Sequence, residues 1–232
     1  MTGARDAAVR GVLVDLDDTL YPQSTFLDVA WRTVADSAAP HGLDRDALLT
    51  ALHTEAASGS ARGGIIDRAL ARTGGPAELV PELVAAFRST NPDCLEPYPG
   101  VREALTALRE QVPIALISDG EVTGQQRKVA ALGLGGMFEA VVFSDRWGRE
   151  RRKPHTHPFE EALRGIGAEP RDAVMIGDRP DKDIEGASRA GLRAIRVSTG
   201  EYADQPDHRD TWVRVSGFAA AVEHVLPHLC AR

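Results

Sequence analysis

From residue 101 onward, short apolar runs alternate with helical stretches, and this alternation restricts the fold more than any other feature. Strands are expected at residues 113–117, 140–143, 173–176 and 193–197, each an apolar run bounded by polar or glycine residues. Helices are expected at 101–110, 125–132, 159–164 and 184–190, with Val101, Leu105 and Leu108 on one face of the first. A last helix is expected at 218–229, after a polar loop at 202–210. A chain that repeats strand, helix, strand builds a parallel sheet with helices on both faces, an α/β class.

Another strand is expected at residues 9–14, ending in Asp15-Leu16-Asp17-Asp18-Thr19. It has no partner nearby in sequence, so it must join the same sheet. Residues 21–94 then form an insertion that reads as helical throughout. Its helices are expected at 25–39 with Ser24 as cap, 44–57 with Asp44 as cap, 65–71 and 81–89. Pro40-His41-Gly42, Ser58-Gly59-Ser60 and Gly74-Gly75-Pro76 break them apart, and Pro97-Tyr98-Pro99-Gly100 marks the return to the sheet. The expected division is a core of residues 1–20 and 95–232, with a helical domain at 21–94.

Ligands of such sheets sit beyond the carboxyl ends of the strands. Asp15, Ser118 and Asp178 close their strands at that end, and Lys153 lies in the loop after the 140–143 strand. Residues two apart in a strand point the same way, so Asp15 and Asp17 leave on one side, where two ionised carboxylates repel unless one is protonated or both share a cation. Asp18 points the other way and reads as structural or solvated. Together these residue types suit phosphoryl transfer. A carboxylate such as Asp15 can attack phosphorus, and Asp17 can move the proton. Asp178 adds an oxygen ligand of the kind Mg²⁺ takes, while Lys153 and Ser118 supply a positive charge and a hydroxyl donor.

Bulk properties narrow the alternatives. A net charge of -7 argues against a nucleic-acid or anionic-membrane surface. Cys94 and Cys230 are far apart without metal-ligand spacing, and read as free thiols of a reducing, cytoplasmic compartment. No run of 18 apolar residues and no leader-like N-terminus is present, so a soluble protein is expected.

The motif set resembles the haloacid dehalogenase superfamily of phosphohydrolases, in the subfamily with a helical cap inserted after the first motif. Asp15, Asp17 and Thr19 match DxDxT; Ser118 ends an apolar strand; Lys153-Pro154 is followed by Phe159; Gly177, Asp178 and Asp183 match GDxxxxD. The resemblance implies a Rossmann-like core with an α-helical cap, and a Mg²⁺-dependent phosphatase acting on a small phosphorylated metabolite through an aspartyl phosphate. It implies that Asp15 is nucleophile and metal ligand, and that Asp17 is acid/base and binds metal through its backbone carbonyl. It makes Asp178 a direct ligand, Asp183 a supporting acid, Thr19 a brace for the turn, and Ser118 and Lys153 holders of the phosphoryl oxygens. A monomer or homodimer is expected, with no nucleic-acid or membrane partner.

Two positions depart from that pattern. Asp119 stands where Asn is common; it is expected at the phosphate through its backbone N–H, or on a substrate hydroxyl. Asp181 adds a rival to Asp183, which the spacing favours. In the cap, Arg62-Gly63-Gly64 joins two helices, and Arg62 is a candidate substrate contact. Three other readings stand beside the phosphatase: a phosphomutase of the same family, a 2-haloacid dehalogenase, which the acid at position 17 argues against, and a phospho-aspartate signalling module, which the inserted helices do not fit.

Overall fold

The structure, a computed structural model, describes residues 8–59 and 62–229. The chain forms two compact units, one of them Ser24–Asp93 and the other the residues on either side of it. In the second, β1 (Gly11–Val14), β2 (Ile114–Ser118), β3 (Ala140–Phe143), β4 (Ala173–Gly177), β5 (Arg193–Val197) and β6 (Val213–Val215) form one parallel sheet in the order β3-β2-β1-β4-β5-β6.

The strands β1, β2 and β4 are buried at every residue, which is why their sequences run apolar without alternating. Leu13, Ala115, Ile117 and Met175 share one face. They pack with Phe159, Ala162 and Leu163 of α7 (His157–Ile166) and Ala187 of α8 (Glu185–Arg189). Val12, Val14, Leu116 and Ile176 alternate with them, face the other side, and are equally buried. Helix α5 (Val101–Arg109) buries Val101, Leu105 and Leu108 and packs on α9 (Phe218–Val225), which lies against β5 and β6.

Register fixes where the strands end. Val14 is level with Leu116 on β2 and Ile176 on β4. Asp15 is therefore level with Ile117 and Gly177, and Ser118 and Asp178 follow one residue later along the same edge. Between β1 and β4 the strand order reverses, and that crevice is where ligands bind in sheets of this order.

The helical unit contains the body of α1 (Gln23–Ala38), α2 (Arg45–Ala56), α3 (Ile65–Arg72) and α4 (Val80–Ser89). Its own core joins Trp31, Val34, Leu48, Leu52, Ile66, Leu70 and Leu83, with Trp31 stacked on Phe87 at 4.9 Å between ring centres. Asp44 caps α2 as expected, accepting from the N–H groups of Asp46 and Ala47.

Several boundaries differ from expectation, for local reasons. Helix α1 begins at Gln23, so Ser24 lies inside its first turn; Asp18 instead accepts from the Gln23 N–H at 2.8 Å. The next helix of the sheet unit, α6 (Val122–Ala131), starts three residues early because Glu121, outside the usual capping set, accepts from the N–H groups of Thr123 and Gly124. Before α8 the chain makes a π turn over Pro180–Ile184. The helix expected at 218–229 ends at Val225 and continues as a 3₁₀ turn. Strand β6 was not expected; three residues at a sheet edge, none of them fully buried, leave no periodic signal.

Candidate active site

Beyond Val14 the backbone folds into a tight turn. The Leu20 N–H donates to the Leu16 carbonyl and the Asp18 N–H to that of Tyr21, each at 3.0 Å. The turn passes through Asp18 at φ 58°, a left-handed conformation that Asp tolerates better than most residues. The Asp18 side chain is buried and structural: it accepts from the N–H groups of Gln23 and Glu201, and its carbonyl accepts from the Thr199 hydroxyl.

The turn leaves Asp15 facing Lys153. The Lys153 ammonium donates to Asp15 Oδ1 at 2.5 Å and to Asp183 Oδ1 at 2.7 Å, and all three side chains are buried. Thr19 Oγ1 donates to Asp15 Oδ2 at 3.2 Å, so Thr19 holds this carboxylate directly. Carboxylate oxygens of Asp15, Asp178 and Asp183 lie within 4.8 Å of one another. Three carboxylates against one ammonium leave two negative charges unbalanced, the charge of a single divalent cation. Asp178 accepts no hydrogen bond from any described residue.

The electrostatics record that imbalance. Burial pushes the Asp15 carboxyl up, Lys153 pulls it down, Asp183 and Asp17 push it up again, and it settles at about 7. Burial, followed by Asp15 and Asp183, holds the Asp178 carboxyl well above the usual range. Burial alone would lower the Lys153 ammonium, but Asp15, Asp183 and Asp119 outweigh it and push it well up. A buried, under-neutralised oxygen cluster of this kind fits a hard cation such as Mg²⁺.

The Asp17 side chain is not part of that carboxylate group. Its Oδ1 accepts from Lys128 Nζ at 2.7 Å and from the Tyr21 hydroxyl at 2.6 Å; its Oδ2 accepts from Gln125 Nε2 at 2.9 Å. Burial raises the Asp17 carboxyl, yet Lys128, Tyr21 and Gln125 together outweigh it and hold the group below its ordinary value. The repulsion expected between Asp15 and Asp17 is thus relieved in another way: each carboxylate has its own lysine.

Ser118 is buried at the end of β2, and its Oγ accepts from Gln125 Nε2. The carboxylate of Asp119 turns away onto the neighbouring loops. It accepts from Ser144 Oγ at 2.6 Å and the Lys153 N–H at 3.2 Å, and pairs with Lys182 Nζ at 3.4 Å. Asp181 lies outside the cluster and makes a two-point pair with Arg179, whose guanidinium stacks 3.6 Å from the centre of the Tyr202 ring. Asp183 is the acid at the cluster, and its other oxygen accepts from the Arg179 N–H at 3.0 Å. Arg62 belongs to the helical unit, where it is exposed and reaches the Ser58 carbonyl at 3.5 Å.

Sequence reasoning missed Tyr21, Gln125 and Lys128. A signal was present: Gln125, Lys128 and Val129 are the buried face of α6, so two polar residues occupy a stripe that packing alone would fill with apolar ones.

A family profile described as haloacid dehalogenase-like hydrolase matches residues 9–191. The chain belongs to the haloacid dehalogenase-like hydrolases. Among curated relatives of this hydrolase, a glyceraldehyde 3-phosphate phosphatase of Methanopyrus kandleri is 36% identical over 210 residues, covering 87% of this chain and 89% of the relative. A phosphoserine phosphatase of Thermus thermophilus is 34% identical over 154 residues, 65% of this chain and 59% of the relative. A solved structure of the HAD hydrolase YfnB from Bacillus subtilis, bound to magnesium, shares the fold with a TM-score of 0.69 at 16% identity. It covers 94% of this chain and 99% of the other. Among the described residues no helix is long and apolar enough to cross a membrane.

Proposed function

We propose that this hydrolase removes phosphate from a small phosphorylated metabolite, with Asp15 as nucleophile, Asp17 as acid/base and Mg²⁺ as cofactor. The observation that carries the reading is the buried group of Asp15, Asp178 and Asp183 around a single Lys153 ammonium. Asp15, Asp178 and the Asp17 backbone carbonyl would hold the metal, with Asp183 in support. Bound there, Mg²⁺ supplies the positive charge that lets a carboxylate and a phosphate dianion approach each other.

Asp15 attacks phosphorus while the ester oxygen departs with a proton from Asp17, leaving an acyl phosphate on Asp15. Water then attacks that phosphorus, Asp17 takes the water's proton, and inorganic phosphate leaves with the Asp15 carboxylate restored. Lys153, the Ser118 hydroxyl and the Asp119 N–H hold the non-bridging oxygens through both steps. The helical unit serves as the cap that selects substrate, with Arg62 contacting its distal part. Glyceraldehyde 3-phosphate is the first substrate to assay, because it is named in relatives that match over most of both chains.

The test is phosphate release from a panel of phosphorylated metabolites. Asp15→Asn, which keeps the shape and removes the charge, is expected to lower kcat roughly 10³-fold or more. EDTA is expected to silence the wild type and Mg²⁺ to restore it. Full activity in Asp15→Asn, or release of halide but not phosphate, would overturn the reading.

A further inference from the structure

Three side chains outside the matched motifs converge on Asp17, and they treat its two oxygens differently. Oδ1 receives two donors, the Lys128 ammonium and the Tyr21 phenol, whereas among the described residues Oδ2 receives only Gln125 Nε2. A carboxylate oxygen has about two acceptor positions in its plane. Both are filled on Oδ1; one remains on Oδ2. We propose that Lys128, Gln125 and Tyr21 are positioning residues for the leaving-group step, and that they make Oδ2 the Asp17 oxygen that exchanges a proton with the substrate. This rests on the phosphatase reading above and assigns the atom through which it works.

The same Gln125 amide nitrogen also donates to Ser118 Oγ. Since that oxygen accepts from Gln125, the hydroxyl hydrogen of Ser118 is left to donate to a phosphoryl oxygen. One side chain therefore sets the orientation of a phosphate donor and of the acid/base together. Gln125 and Lys128 lie three residues apart on α6, one helical turn, and both are buried. Burying an ammonium is costly unless it is paired. The 2.7 Å pair with Asp17 supplies a partner of that kind for Lys128.

In the step itself, the Asp17 Oδ2–H bond breaks as the proton passes to the bridging ester oxygen. The P–O bond to that oxygen breaks, and the bond from Asp15 to phosphorus forms. An alkoxide needs the proton to leave, whereas p-nitrophenolate leaves without one. The value of kcat/KM covers only events up to release of this first product, so it isolates the step from the later attack of water.

The experiment compares kcat/KM for a glycerol phosphate and for p-nitrophenyl phosphate in wild type, Asp17→Asn, Lys128→Met, Gln125→Leu and Tyr21→Phe. General acid catalysis contributes about 10²- to 10⁴-fold. Lys128→Met and Gln125→Leu are therefore expected to lose at least about tenfold more on the alkyl ester than on the aryl ester, in the direction of Asp17→Asn. Tyr21→Phe removes a single hydroxyl and keeps the ring; it is expected to show the same selectivity to a smaller degree, so a folding failure of Lys128→Met does not end the test. Equal losses on both esters, or no loss on either, in variants where Asp17→Asn is alkyl-selective would overturn the positioning role alone. If Asp17→Asn itself showed no selectivity, the acid role of Asp17 would fail and this assignment with it.

Discussion

The charge count at Asp15 makes a prediction about stability that needs no substrate. Without a divalent cation, the Asp15 carboxyl titrates at about 7 in the folded chain against a reference of 3.8. An acid whose value is raised by folding binds its proton more tightly in the folded state. Its contribution to stability is therefore intact below about pH 4 and is lost as pH climbs to about 7. The whole shift corresponds to about 4 kcal/mol, and the part lying between pH 6 and 8 to about 1.4 kcal/mol. Mg²⁺ competes with that proton, so its affinity should be about tenfold lower at pH 6 than at pH 8. At a concentration saturating at both, the rise in Tm on adding Mg²⁺ should be larger at pH 8. For a chain of this length the excess is roughly 3–6 °C. Differential scanning calorimetry at the two pH values, with EDTA-treated protein as baseline, measures it. Equal increments at both pH values, or a larger one at pH 6, would refute the argument from burial and unbalanced charge. Asp178→Asn should abolish the increment at either pH while the protein still unfolds cooperatively.

Three further outcomes follow from particular contacts. A Cβ added at Gly177 would lie 2.4 Å from Asp183 Cγ, so Gly177→Ala should push that acid out of place; at least tenfold weaker Mg²⁺ activation of phosphate release, measured as a Mg²⁺ titration, is expected, on the order of 1.4 kcal/mol. Gly200 has φ +68° and faces Asp18, with no space for a methyl group; Gly200→Ala should cost about 2–4 kcal/mol in urea unfolding, from strain and overpacking combined. Arg62→Ala should raise KM for the physiological substrate and leave KM for p-nitrophenyl phosphate within about threefold, a difference under about 1 kcal/mol.

The residues that close the strands were legible because strand chemistry and sheet topology both act at one place. An apolar run that ends in Asp15, Ser118 or Asp178 announces both a buried strand and the group it delivers, and parallel pairing then brings those ends to one edge. Lys128 and Gln125 were not legible by the same route. Glu121 concealed the start of α6, and a lysine on a helix is read as solvent-facing unless its stripe is tracked residue by residue. The structural role of Asp18 could not be separated from a solvated one for a related reason. Its burial depends on Gln23 and on Glu201, 183 positions away, and no local pattern encodes a contact that distant. Strand β6 was silent because it is short, at an edge and never fully buried.

Asp119 shows how a charge out of keeping with its surroundings is absorbed. Beside the acid cluster a further carboxylate adds repulsion, unless its charge is directed elsewhere and matched there. Both conditions are met: the side chain points to Ser144 and the Lys153 N–H, and Lys182 supplies the opposite charge. Lys182 lies in the π turn that also carries Asp183, so one turn delivers an acid to the carboxylate cluster and an ammonium to the Asp119 carboxylate. The Asp119 carboxylate further ties β2's end to the chain at Lys153, the residue whose ammonium faces Asp15. An Asn at 119 would keep an acceptor for Ser144 and Lys153 but release Lys182. The acid at 119 therefore matches the Lys182 charge as well as bracing the loop.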